Sequence, residues 1–165
     1  MARFEAISAW NVLPDFASVN FGERGAVKLA RLLLSRGVDV EAGLCDAKAA
    51  DVFLESGLGQ SCLRILIEPQ EQELADALAT VSAIEKSLGI GLRQPLGMPP
   101  ILLHGTEATV WPMMDEAITR GYDVRVGLED TLCRPDGTTV RDNAELVAAA
   151  ILRVNQVKRR AEDER

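Results

Sequence analysis

The sequence predicts an α/β fold of parallel strands, a TIM-type (βα)₈ barrel in partial form with about five βα units. Short apolar runs alternate with helical stretches in a steady rhythm and with short connections, as strands joined by crossover helices do. Each strand run also carries a polar residue on its alternating face near the carboxyl end: Ser18 and Asn20, Glu41, Glu68, His104, and Arg125 with Glu129. In a barrel those are lumen positions at the catalytic mouth. Neither a Gly-x-Gly-x-x-Gly nor a Gly-x-x-x-x-Gly-Lys loop follows any strand, so a nucleotide-binding doubly wound sheet loses its main support.

Taken in order, residues 4–12 read as an amphipathic opening helix and residues 16–21 as the first strand. Residues 24–36 are helical, with Leu29, Leu32 and Leu33 on one stripe and Gly37 as the stop. A strand over 38–44 precedes a helix from Ala47 to Ser56 that ends at Gly57. Residues 63–69 form the third strand and 71–88 the third helix, closed by Gly89. A Pro-rich surface loop over 95–100 leads to a fourth strand at 101–105, then a helix at 110–120 that stops at Gly121. Residues 123–130 are the fifth strand, and 143–154 a last helix capped near Asp142. The expected domain is a single partial barrel over 1–157, with 158–165 a charged tail that frays from the last helix.

Composition bounds the function. At 165 residues with 47% hydrophobic content the chain buries one sizeable core. Its formal net charge of -7 repels phosphate backbones, so nucleic acid is not an expected partner. Cys45, Cys62 and Cys133 are odd in number and form no paired motif, which suits a reducing cytosol. Cys62 reads as core. No apolar run approaches the roughly 20 residues of a membrane span, and the start lacks a signal-peptide core, so a soluble cytoplasmic protein with no membrane partner is expected.

The fifth strand carries the chemistry. On a period of two, Val124, Val126 and Leu128 share one face, and Arg125, Gly127 and Glu129 the other. Fully extended, Arg125 and Glu129 stand about 13 Å apart. A guanidinium and a carboxylate inside a strand require a partner, a ligand or a metal, since burying an unpaired charge costs several kcal/mol. Structural readings stand beside the functional ones: Arg125 with Glu129 as a buried pair, Glu41 salt-bridged to a neighbour, His104 as a satisfied core histidine, Glu68 as a cap of the next helix, Trp111 as packing.

Four stretches, at 13–21, 37–44, 102–112 and the Arg-Val-Gly-Leu-Glu-Asp of 125–130, resemble the β-keto acid cleavage enzymes over nearly the whole chain. The family resemblance implies a zinc-dependent (βα)₈ barrel, an acyltransferase that cleaves a β-keto acid with acetyl-CoA into acetoacetate and a new acyl-CoA. It implies Glu129 as a metal ligand, Arg125 as the group holding the substrate carboxylate and Asp130 as an acid-base or orienting residue. Glu41 resembles a catalytic pocket carboxylate, and Ser18, Asn20 and His104 fall at substrate-binding positions. Small-molecule partners follow; a homo-oligomer is expected separately, because an open five-strand sheet leaves two unpaired edges that invite pairing with another chain.

One departure stands out. Family zinc is held chiefly by a His-x-His pair on an early strand, and His104 is the only histidine here. One carboxylate and one distant imidazole do not make the three protein ligands of a catalytic zinc. Two accounts are expected: residues missing ahead of Met1, which the position of Met1 inside a family-like helix favours, or a degenerate remnant. The competing function is therefore an inactive barrel remnant acting as a binding or assembly module. A Schiff-base aldolase requires a strand lysine, and no strand offers one.

Overall fold

A computed structural model describes residues 2–91 and 95–163. Four parallel strands alternate with helices, in the sheet order β1-β2-β3-β4. The chain divides into two compact units, one of Met1–Leu66 with Ser82–Pro100 and one of Ile67–Val81 with Ile101–Arg165, the division falling inside β3 and α4.

The first unit contains α1 (Ala2–Ser8), β1 (Phe16–Asn20), α2 (Ala26–Ser35), β2 (Asp39–Leu44) and α3 (Ala47–Ser56), and opens β3 (Arg64–Ile67). β1 pairs with β2 in parallel, Ser18 opposite Glu41 and Asn20 opposite Gly43. Leu29, Ala30 and Leu33 of α2 are buried, the helical stripe read from the sequence. In α3 the Asp46 carboxylate accepts from the Ala49 N–H at 2.7 Å, satisfying one of the free donors of the first turn. Gly57 ends that helix at φ 68°, a left-handed conformation that a side chain would strain. The Phe21 and Phe53 rings meet edge to face, with centroids 5.1 Å apart, in the core over these strands.

The second unit takes the end of β3, then α4 (Leu74–Ser87, which crosses into the first unit at Ser82), β4 (Ile101–Leu103), α5 (Val110–Arg120) and α6 (Asn143–Asp163). Val110, Met113, Met114 and Ala117 of α5 are buried, as are Leu146 and Ala150 of α6. Arg153 forks onto Asp115, Nε to Oδ1 at 2.7 Å and Nη2 to Oδ2 at 2.5 Å, joining α6 to α5. The helix α6 is longer than the sequence reading, taking in residues 158–163 of the expected tail; residues 164 and 165 lie outside the described residues. Among the described residues no helix is long and apolar enough to cross a membrane.

The fifth strand is corrected. Asp123 makes one parallel bridge to Leu102, with Leu103 N–H donating to its carbonyl and its own N–H to Ile101, and pairing stops there. The ladder ends because β4 itself ends at Leu103, leaving nothing for residues 124–127 to follow. The face Val124, Val126, Leu128 is accordingly half-buried to exposed rather than core. Val124 and Val126 instead line an open groove of about 440 Å³ with Val147, Ala150 and Ile151 of α6.

Candidate active site

Two groups of polar side chains form on these elements, one in each unit. In the first, Glu41 is 1% exposed at the middle of β2. Register with β1 brings the Ser18 hydroxyl to it, donating to Oε1 at 2.5 Å, while Arg64 at the start of β3 donates through Nε to Oε2. The Arg64 guanidinium also lies over the Phe16 ring, 5.2 Å from its centroid. Asn20 is exposed, lies against Gly43 and reaches Glu23 rather than Glu41. A buried carboxylate with a cationic partner and a hydroxyl donor is satisfied, so the salt-bridge reading of Glu41 is borne out by geometry. Arg64 escaped the sequence reading. Its place two residues after a buried Cys62, on the same alternating face as Glu68, was the available signal.

The second group lies in the other unit, where β3 and β4 end. Glu68 and His104 are the first residues beyond Ile67 and Leu103, and the His104 N–H donates to the Ile67 carbonyl at 3.2 Å, so both side chains leave the carboxyl ends of neighbouring strands. The His104 ring is 2% exposed. Its Nε2 stands 3.4 Å from Glu68 Oε2, and its Nδ1 3.6 Å from Asp130 Oδ1 and 3.1 Å from the Gly105 carbonyl. On its far side Asp130, also 2% exposed, accepts from Arg125 Nη2 at 3.1 Å. Carboxylate, imidazole, carboxylate and guanidinium thus follow one another in a line. The imidazole beside Glu68 holds its carboxyl below the usual range, with Gln70 and the more distant Arg125 adding to the effect.

The backbone fixes this line from both ends. Asp130 closes a turn, its N–H donating to the Gly127 carbonyl at 2.9 Å, and its own carbonyl accepts from the Glu107 N–H at 2.7 Å. Glu107 adopts φ 49°, a left-handed conformation rare outside glycine, which marks local strain beside the site. Leu128 N–H donates to Asn143 Oδ1 at 3.2 Å, tying the turn to the start of α6. Gly105 permits close packing on Thr109 at the start of α5: a Cβ there would stand 2.5 Å from Thr109 Oγ1 and 2.8 Å from the Thr109 carbonyl carbon.

Of the residues singled out in sequence, Arg125, Asp130 and His104 come together, Glu41 and Ser18 form the other group, and Glu129 is exposed in the turn beside Asp130. Glu68 was legible only as a lumen position. The helix-cap account of it does not hold, since α4 begins six residues later at Leu74. Trp111 donates through Nε1 to the Cys133 carbonyl at 3.0 Å. Cys62 is buried, its thiol pushed up to about 11 by that burial.

The family model of the beta-keto acid cleavage enzymes matches residues 75–163, more than half of the chain. The chain belongs to the β-keto acid cleavage enzyme family. The matched stretch contains His104, Arg125, Glu129 and Asp130 and leaves residues 13–21 and 37–44 outside it. No curated protein is found to be similar to the chain. The zinc that the β-keto acid cleavage enzyme resemblance implies does not fit the residues present: Glu129 is exposed, His104 is the chain's only imidazole, and among the described residues no three or more His, Cys, Asp or Glu are placed to hold an ion.

Proposed function

We propose that this chain carries the acid-base part of a β-keto acid cleavage site, in a cytoplasmic acyltransferase of (βα)₈-barrel type that takes a β-keto acid and acetyl-CoA. The observation that carries the reading is the buried Asp130 carboxylate held by Arg125 at 3.1 Å and flanked by His104. The reaction fixes what such a carboxylate is for. Conversion of a β-keto acid and acetyl-CoA to acetoacetate and a new acyl-CoA makes one carbon-carbon bond and breaks another at the same α-carbon. That carbon gives up a proton before it accepts the acetyl group and regains one after the original acyl group leaves for the CoA sulfur.

Asp130 is the group suited to take and return that proton, being ionisable, buried and fixed in direction. Arg125 spends one nitrogen on Asp130; with its side chain one-third exposed, the remaining donors can meet the substrate carboxylate in the bidentate manner of a guanidinium. Glu41, with Ser18 and Arg64, supplies a second polar group, and its role toward substrate rests on the family resemblance alone.

The test is acetoacetate formation from acetyl-CoA and a panel of β-keto acids, with zinc added. Product from at least one acid, lost on Arg125→Ala, is the expected result. No product from any acid contradicts the reading for this chain and favours a non-catalytic module.

A further inference from the structure

The imidazole between Glu68 and Asp130 has a definite proton demand. A backbone carbonyl only accepts, so the 3.1 Å approach of Nδ1 to the Gly105 oxygen places a proton on Nδ1. With that nitrogen protonated, a neutral ring presents a bare lone pair at Nε2. This atom is buried, has no hydrogen-bond partner among the described residues, and faces a carboxylate oxygen at 3.4 Å. Two acceptors so placed repel, and a single proton on Nε2 turns the contact into an attractive ion pair. The charges facing the ring are Glu68 from the end of β3, Asp130 from the turn after Gly127, and Arg125 behind Asp130. Two carboxylates against one guanidinium leave a net negative charge, which a ring protonated on both nitrogens balances.

We propose that His104 is a positioning residue of this site: protonated on both nitrogens, it spans Glu68 and Asp130 and fixes the direction in which Asp130 faces the substrate. The proposal rests on the reading of Asp130 as the acid-base residue. One further feature agrees with it: the Glu68 carboxyl is held below its usual range chiefly by His104. A histidine serving only as core filling would need one donor to Gly105 and no carboxylate at Nε2.

The chain contains one histidine, so its ring nitrogens give a single unambiguous signature in a long-range ¹H–¹⁵N spectrum of the labelled protein at neutral pH. Wild type is expected to show both nitrogens protonated, and Glu68→Gln to return the ring to a form protonated at Nδ1 alone. An unprotonated Nε2 in wild type, or a ring unmoved by Glu68→Gln, overturns the proposal. Gln70 and Glu68 stand at the surface edge of the group, so Glu68→Gln is expected to fold, as its unchanged amide spectrum elsewhere verifies. These readouts need no turnover: absence of acetoacetate formation with an intact two-proton signature sinks the activity reading and leaves only the His104–Glu68 pairing standing, whereas turnover with an unprotonated Nε2 overturns the positioning role alone.

Discussion

At the scale of single residues, the site is a set of charges that satisfy one another before any substrate arrives. Glu68 has its carboxyl lowered in the folded chain by His104, so its contribution to stability is present above the unfolded carboxylate value of about 4.3 and is lost as pH falls through the lower folded value. The stability lost on Glu68→Gln, measured by urea unfolding, should therefore be largest near neutrality and shrink toward pH 3. A loss that grows toward acid contradicts the pairing. Gly105 offers a steric test at the same place. Gly105→Ala puts a methyl group within 2.8 Å of the Thr109 backbone, which cannot swing away, and should cost about 1–3 kcal/mol. Residues of this kind were only partly legible. The polar positions on the alternating face could be read from strand period alone, which found Glu41, Glu68, His104 and Arg125. Which of them pair could not be read, because Asp130 meets His104 and Arg125 through a turn whose geometry depends on Glu107 and Asn143, both distant in sequence from it.

At the scale of elements, the helices followed their caps. Ala47–Ser56 and Val110–Arg120 have the bounds that Gly57 and Gly121 announce, because a glycine in the left-handed conformation stops a helix whatever surrounds it. Asp46→Ala removes the side-chain acceptor of α3 and should cost about 0.5–2 kcal/mol in thermal or urea unfolding. Leu103→Ala, at a fully buried position of β4, should cost about 2–5 kcal/mol and loosen the strand end that presents His104. The fifth strand failed for a reason that period cannot report. Alternation in 123–130 shows what a strand would bury, whereas a strand forms only where a neighbour supplies donors and acceptors, and β4 supplies them no further than Asp123. The Pro135-Asp136-Gly137 turn, with Gly137 at φ 83° and a bridge from Cys133 to Thr139, went unread although its residues are typical turn formers.

At the scale of the whole molecule, four parallel strands alternate with helices, and Glu68 and His104 stand just beyond the carboxyl ends of β3 and β4. The expected homo-oligomer is checked by solution mass from light scattering, where a mass above the 17.9 kDa of one chain is the predicted outcome. Asp130 is proposed to move a proton at the substrate α-carbon. That role is tested most directly by following hydrogen-deuterium exchange at that carbon of a β-keto acid in D₂O, by NMR, in the absence of acetyl-CoA. Exchange accelerated by wild type, and lowered about 10²–10⁴-fold toward the spontaneous rate by Asp130→Asn, is the predicted result. Equal exchange with and without the protein, or an Asp130→Asn variant as active as wild type, contradicts it.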